Sequence, residues 1–307
     1  MTAPDPAAHA HRRLLLAVAI AYAGALAAAL LCPLALRGRS PLLVAAAADL
    51  VATLVVFAFS VGHGNSSLYD PYWSVAPVPI VLFWWAAGAG DGLRAAAAVI
   101  LVCAWAMRLT WNCLARWRSL AHEDFRYVEL RAKAGALYWP LSLAGIHLAP
   151  TVWVFLGLLP LWPALTLPGR PVGPLDLAAV ALTATAVAVE GLADRQLHAF
   201  LRARRDPAEI LERGLWARSR HPNYLGEVLF WWGLWLFGLA AAPGWWWTVA
   251  GPLAITLLFV FVSVPWMDRR MASRHHAWAD RMGRVPALLP WPRPRATKGT
   301  PAAPGAR

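Results

Sequence analysis

Apolar stretches separated by short polar breaks follow one another along most of the chain. Eight of these stretches are predicted to be transmembrane helices, because about 20 apolar residues span the hydrocarbon core of a bilayer. They comprise residues 14–36, 42–61, 74–90, 94–115, 137–162, 174–198, 222–241 and 245–266. The pattern predicts an all-α fold, a polytopic transmembrane helix bundle of about eight spans.

Composition and charge are typical of a membrane protein. The 307 residues are 59% apolar and 14% charged, whereas soluble proteins carry about 25% charged residues. Lys and Arg concentrate at both chain ends and in the loops between alternate spans, and such basic loops are cytoplasmic. Both termini are therefore predicted to be cytoplasmic, and the net charge of +12 requires no nucleic-acid partner.

Four regions are predicted along the chain. They are a cytoplasmic N-terminal segment at 1–13, a transmembrane pair at 14–61, a larger transmembrane domain at 62–292 and a disordered cytoplasmic tail at 293–307. The tail is rich in Pro and polar residues, which favours disorder. The sequence has no histidine pairs at helical spacing that would indicate a metal site.

A ridge of ionisable residues marks the end of the sixth predicted span. Steps of four residues separate its members, Glu190, Asp194, His198 and Arg202. Each step turns a helix by only about 40°, so these side chains form one polar ridge from the bilayer to the cytoplasmic surface. A series of ion pairs on a helix end is the structural alternative. Because charge within a membrane is costly, the ridge favours a ligand cavity.

A second polar motif precedes the seventh predicted span. Arg218, Arg220 and His221 lie just before Pro222, which is suited to the first turn of a helix. A helix N-terminus beside cations favours phosphate-like anions. A basic collar for lipid headgroups is the alternative, and it does not account for polar side chains further along the same helix face. Those side chains are Asn223 and Glu227.

Three residues are candidates for donating a hydrogen bond or proton to a substrate. Asp49 lies in the middle of the second span, where a neutral carboxyl could donate to a carbonyl. Tyr72 lies at the start of the third span and Tyr127 lies in a charged cytoplasmic loop. Structural roles are the alternatives, namely a neutral acid bonded to a neighbouring helix and an aromatic belt at the membrane interface.

Three segments together resemble one known family. SRHPNYLGE at 219–227, with EGLADRQLHAF upstream and MDRRMASRHHAWADRMGRVPALLPW downstream, resembles the C-terminal domain of the steroid 5-alpha-reductase superfamily, in a bacterial branch. The resemblance extends over about residues 66–292, so the domain at 62–292 is predicted to be reductase-like. Isoprenylcysteine carboxyl methyltransferases carry a similar Arg-His-Pro-x-Tyr motif and share the architecture.

The resemblance implies an NADPH-dependent reductase whose cofactor pocket opens to the cytoplasm. By similarity, the nicotinamide half would be bound by Glu190, Asp194, Asn223 and Glu227. The phosphates would be held at the mouth of the pocket by His198, Arg202, Arg220 and His221. Arg218 and Tyr224, in the same motif, complete the predicted cofactor-binding set.

The sequence departs from the family where the reductases carry a catalytic Tyr. Trp111 occupies that neighbourhood, so the donor would have to be Asp49, Tyr72 or Tyr127. The leading hypothesis is hydride transfer from NADPH to a carbonyl-conjugated C=C of a lipophilic substrate, in a bacterial inner-membrane protein among membrane lipids. The alternatives are an S-adenosylmethionine-dependent methyltransferase and a non-catalytic lipid-binding protein. No oligomeric state is implied.

Overall fold

The computed structural model describes residues 6–289, and within that range it contains helices and no strands. The α-helices are α1 (Pro6–Ala35), α2 (Pro41–His63), α3 (Tyr72–Val75), α4 (Pro77–Ala87), α5 (Gly92–Arg116), α6 (Phe125–Ala134), α7 (Tyr138–Ser142), α8 (Ala149–Leu158), α9 (Leu161–Thr166), α10 (Pro174–Ala203), α11 (Pro222–Ala241), α12 (Ala250–Leu258), α13 (Val264–Arg274) and α14 (Ala277–Arg284). Two π-helical segments, Leu143–Leu148 and Phe259–Ser263, interrupt this series. The all-α prediction is confirmed.

Some predicted regions fall outside this range. The tail predicted at 293–307 lies outside the described residues, as do residues 1–5 of the N-terminal segment and the last three residues of the domain at 62–292.

Seven helical rods within the described residues are long and apolar enough to cross a membrane. They are Pro6–Ala35, Pro41–His63, Gly92–Arg116, Phe125–Leu158, Pro174–Ala203, Pro222–Ala241 and Pro243–Arg274. The chain is a multi-pass membrane protein, as predicted.

The span predicted at 74–90 is the one that differs. Its place is taken by α3 and α4, which continue into one another because Ala76 has helical angles, φ −55° and ψ −36°. A helix over residues 72–87 is about 24 Å long, shorter than the hydrocarbon core of about 30 Å. The prediction of about eight spans thus corresponds to seven long rods and one short helix within the described residues.

The early end of α4 has a physical cause. At Gly88 the backbone turns to an extended conformation, φ −110° and ψ 175°, and runs against the end of α9. Ala89 and Gly90 donate backbone hydrogen bonds to Thr166 and Leu165, each at 3.2 Å. A Cβ at Gly88 would lie 2.3 Å from the Leu165 carbonyl oxygen, so the close approach requires glycine.

The described residues divide into two compact units. The first contains residues 6–188 and 226–258, and the second contains residues 189–225 and 259–289. In the first unit, glycines let helices touch. A Cβ at Gly251 of α12 would lie 2.1 Å from the Leu156 carbonyl oxygen of α8, and a Cβ at Gly157 would lie 2.5 Å from Trp231. Such contacts between small residues and backbone are a common means of packing membrane helices.

The second unit is held by a buried tryptophan and a buried arginine. Trp216 packs against Ala193 and Leu211 and donates from its indole to the Ala193 carbonyl oxygen at 3.0 Å. Arg281 of α14 is fully buried. It donates to the Trp216 carbonyl oxygen and pairs with Glu212 at 3.0 Å. The loop after α10 is thereby fixed to α10 and to α14.

Candidate functional site

The polar ridge on α10 has the burial gradient that its spacing predicts. Glu190 and Asp194 are buried, with 1% and 7% of their surface exposed. His198 is half-buried and Arg202 is exposed. The acidic end of the ridge is therefore buried and its cationic end is at the surface. Binding of a cofactor along it stays a prediction.

The basic motif before α11 is not a uniform row of exposed cations. Arg218 is exposed, whereas Arg220 and His221 are buried. Both buried side chains contact Asp268 of α13: Arg220 Nη2 lies 2.7 Å from Oδ2, and His221 Nε2 lies 2.9 Å from Oδ1. The Trp278 indole donates to the same Oδ1 at 3.1 Å. Asp268 is thus the centre of a buried charge cluster that the sequence did not indicate.

The same motif also binds the chain after α14. The backbone amides of Arg220 and His221 donate to the carbonyl oxygens of Pro286 and Ala287, each at 3.0 Å. Ser219 Oγ donates to the Ala287 carbonyl oxygen at 2.9 Å. Arg220 and His221 therefore have structural partners in Asp268 and in the chain after α14. Their role in holding phosphates stays a prediction.

Asn223 and Tyr224 stand on the first turn of α11. The amide oxygen of Asn223 is buried and accepts no hydrogen bond from any residue that the structure describes. The Tyr224 ring stacks on His221 with centroids 5.2 Å apart and packs edge-on against Phe259 at 5.0 Å. A buried acceptor is costly unless a partner satisfies it. A ligand N–H, such as that of a nicotinamide carboxamide, is a suitable partner for Asn223.

Glu227, the next polar residue of α11, belongs to the first unit. Its Oε1 accepts from the Trp231 indole at 3.0 Å and its Oε2 accepts from the Trp105 indole at 3.1 Å. Arg108 Nη2 lies 3.8 Å from Oε2. Both carboxylate oxygens are thus engaged by side chains that sequence reasoning did not assign. Only the remaining lone pairs could serve a ligand.

The structure brings together two of the three predicted donors, in the first unit. The Tyr72 hydroxyl donates to Asp49 Oδ1 at 3.4 Å, and both side chains are buried, each 5% exposed. An ordinary phenol has a pKa of about 10, so the Tyr72 hydroxyl is protonated at neutral pH and is suited to donate a hydrogen bond.

Tyr127, the third candidate, is hydrogen-bonded to a different acid. Its hydroxyl donates to Asp70, which faces Arg126 as well, with Nη2 and Oδ1 3.8 Å apart. Burial raises the pKa of Asp70 to about 6, and the charge of Arg126 opposes that rise. The nearby Asp124 raises it further, and a hydrogen bond from Ser67 lowers it. The two tyrosines are thus members of two separate Tyr–Asp pairs.

The raised pKa of Asp70 predicts a pH dependence of stability. An unfolded Asp titrates near pH 3.9, so the stabilisation by neutral Asp70 is complete below about pH 4 and is lost as the pH rises through about 6. The expected loss is about 1–2 kcal/mol, because the side chain keeps 20% of its surface exposed. Asp70→Asn should remove this dependence of the free energy of unfolding on pH. Unfolding of the detergent-solubilised protein across this pH range measures it, and an unchanged slope in the variant would reject the assignment.

Most of these residues lie in a part of the chain that is similar to known proteins. The profile of a family described as "Protein of unknown function (DUF1295)" matches residues 56–280. An uncharacterized protein of Schizosaccharomyces pombe is 26% identical over 259 residues, which are 75% of this chain and 75% of the relative. No solved structure matches the chain significantly. Asp49 precedes the matched residues, whereas the other predicted site residues lie within them.

Proposed function

The chain belongs to the DUF1295 family, and we propose that it is a membrane oxidoreductase related to the steroid 5-alpha-reductases. The proposed reaction transfers a hydride from NADPH to a carbonyl-conjugated C=C of a lipophilic substrate. The motif around Arg220 and Asn223 and the polar ridge on α10 support this relation. We further propose that the protein lies in a bacterial inner membrane and binds its cofactor from the cytoplasm.

The observation that carries the proposal is the buried, unsatisfied amide oxygen of Asn223. The second unit that contains it also combines buried acids on α10 with exposed arginines at 202 and 218. A dinucleotide has this same division, because its nicotinamide is a hydrogen-bonding amide and its phosphates are anions. We assign the nicotinamide amide to Asn223, Glu190 and Asp194, and the phosphates to Arg202 and Arg218.

The proton donor in this proposal is the Tyr72–Asp49 pair. When bound, NADPH supplies the hydride from C4 of its nicotinamide ring. The Tyr72 hydroxyl would polarise the substrate carbonyl, which makes the conjugated β-carbon a better hydride acceptor. Asp49 would orient that hydroxyl. A lipophilic substrate is expected because these residues belong to apolar helices.

The two proposed cytoplasmic termini require that the short helix at 72–87 crosses the membrane. With seven crossing segments the termini lie on opposite sides, and with eight they lie on the same side. A short helix can cross where the bilayer thins locally.

Two other functions are distinguished by ligand binding. S-adenosylmethionine lacks phosphates, and the engagement of Arg220 and His221 by Asp268 leaves fewer exposed cations than the resemblance implied. This observation favours a methyltransferase as the second candidate. The non-catalytic alternative was supported by Trp111, which stands where the reductases carry their catalytic Tyr. The Trp111 side chain is 76% exposed, which weakens that support.

Titration of the purified protein with NADPH and with S-adenosylmethionine tests the proposal, with tryptophan fluorescence as the signal. We expect NADPH binding alone. Asn223→Ala should weaken it about tenfold, the effect of losing one hydrogen bond of about 1.4 kcal/mol, and Arg202→Ala should weaken it comparably. Arg195→Ala is the matched control for Arg202→Ala. Arg195 is an exposed arginine on the same helix, α10, and it donates to the Gly191 carbonyl oxygen. Equal affinity in wild type and Asn223→Ala would reject the assignment.

A further inference from the structure

The rod Pro243–Arg274 carries apolar, aromatic and cationic side chains at successive levels of its last part. In the π-helical segment Phe259–Ser263, Phe261 is 69% exposed and Val262 is 49% exposed. Exposed apolar side chains on a membrane-spanning rod lie in the hydrocarbon core. The helix α13 that follows carries one tryptophan and three arginines, Trp266, Arg269, Arg270 and Arg274. All of these residues belong to the second unit.

The tryptophan and two of the arginines share the outer face of α13. Each residue turns an α-helix by about 100°, so Arg269 and Arg274 lie about 60° and about 80° to either side of Trp266, whereas Asp268 lies about 160° away. The observed burial agrees, since Trp266, Arg269 and Arg274 are exposed and Asp268 is buried. Asp268 is the one acid in the sequence of α13. The outer face of this helix therefore has cations but no acid.

Arg269 places its charge at the level of Trp266. Its Nε donates to the Pro265 carbonyl oxygen at 3.2 Å, so the side chain bends back along the helix and the guanidinium lies beside the turn that contains Trp266. Tryptophan is enriched at the membrane–water interface, directly outside the hydrocarbon core. Lipid headgroups lie in the same layer. The Arg269 guanidinium is therefore at the depth of the lipid phosphates.

Neither Arg269 nor Arg274 has an acidic partner within the part of the chain that the structure describes. Another exposed arginine of the second unit does, since Arg284 lies 3.6 Å from Glu212 and 3.2 Å from Asp280. The two arginines on the outer face of α13 therefore keep an uncompensated positive charge beside the membrane. Anionic lipids attract basic residues at such positions.

We propose that the outer face of α13 binds an anionic phospholipid. Its phosphate would hydrogen-bond Arg269 and Arg274, its glycerol would lie beside the Trp266 ring, and its acyl chains would follow Phe261 and Val262. Arginine binds phosphate through short charge-assisted hydrogen bonds, frequently two at once. The Cα atoms of the two arginines are separated by about 7.5 Å along the helix axis, a distance that their long side chains span.

The order of the levels distinguishes a phospholipid from a soluble anion. Along the outer face the side chains are apolar, then aromatic, then cationic, and a phospholipid has the same order in its tails, glycerol and phosphate. A soluble phosphate would contact the cations alone. The lipid site does not depend on the proposed function, in which the cofactor phosphates are assigned to other arginines, Arg202 and Arg218.

Native mass spectrometry of the purified full-length protein tests this site. The protein is titrated with equal amounts of phosphatidylglycerol and phosphatidylcholine that carry the same acyl chains, and the ratio of the two singly bound species is measured. We expect phosphatidylglycerol to be preferred. The preference should fall about fivefold with Arg269→Ala and again with Arg274→Ala, which corresponds to about 1 kcal/mol for each basic residue near an anionic lipid. Arg284→Ala is the matched control, because it removes the same charge from the same unit but Arg284 is paired with Glu212 and Asp280.

Several results would overturn the lipid site. One is an unchanged preference in the variant that lacks both Arg269 and Arg274, and another is an equal fall in Arg284→Ala. Displacement of bound phosphatidylglycerol by inorganic phosphate at the same concentration would assign the face to soluble anions instead. A dimer that is lost in the double variant would assign the face to a second copy of the chain. The experiment uses no cofactor, so its result stands whether or not NADPH binds.

Discussion

Asp268→Ala should destabilise the protein by about 3–5 kcal/mol, the cost of leaving buried charges without their partner. The Asp268 carboxylate accepts from Arg220, His221 and Trp278, and it is 7% exposed. Its removal leaves the Arg220 guanidinium buried among backbone carbonyl oxygens with no compensating negative charge. Thermal unfolding in detergent measures the loss.

A second acid of the same unit serves as the control. Asp280 pairs with Arg284 at 3.2 Å, but its side chain is 77% exposed. Exposed ion pairs contribute about 0–1 kcal/mol, so Asp280→Ala should change the stability little. Equal effects of the two substitutions would show that Asp268 is not the centre of a buried cluster.

Tyr72→Phe should lower the rate of substrate reduction by about 10²–10³-fold, the effect of removing one donor that stabilises a developing oxyanion. The affinity for NADPH should not change, since the phenol is assigned to the substrate. Asp49→Asn should lower the rate less, because it alters only the partner that orients Tyr72. The rate and the cofactor affinity are measured on the same preparation.

Two other tyrosines make this prediction specific. Tyr22 packs edge-on against Tyr72 with ring centroids 5.6 Å apart, and its hydroxyl donates to the Leu68 carbonyl oxygen. Tyr127 donates to Asp70. Tyr22→Phe and Tyr127→Phe should therefore retain most of the rate. A larger loss in Tyr127→Phe than in Tyr72→Phe would transfer the donor role to the Tyr127–Asp70 pair.

Local patterns were sufficient to predict most of the fold. Runs of apolar residues identify the seven long rods because length and hydropathy alone determine whether a helix can span a bilayer. The four-residue spacing from Glu190 to Arg202 predicts one polar helix face, and the burial gradient agrees with it. The span predicted at 74–90 extends three residues past the observed end of α4 at Ala87, because the backbone turns at Gly88 and lies against Leu165, a tertiary contact that hydropathy does not show.

The site depends on contacts between residues that are distant in the sequence. Asp268 is 48 positions from Arg220, and the sequence does not indicate that this acid hydrogen-bonds both Arg220 and His221. His147 hydrogen-bonds Ser60, which is 87 positions away, so its sequence neighbours do not indicate this partner. The sequence around Glu227 likewise does not indicate its hydrogen bond with the Trp105 indole, 122 positions away. Single-sequence spacing predicts which residues share a helix face, but not which faces meet.

Transfer of deuterium from cofactor to lipid tests the central claim most directly. NADPH carrying deuterium in the transferred position at C4 is incubated with the membrane-reconstituted protein and a bacterial lipid extract. The products are then analysed by mass spectrometry. We predict a lipid that has gained one deuterium from the cofactor and one hydrogen from water, and formation of that lipid about 10²–10³-fold more slowly with Tyr72→Phe. No deuterium gain in any lipid, or a lipid that gains a methyl group in a parallel incubation with S-adenosylmethionine instead of NADPH, would contradict the assignment as a reductase.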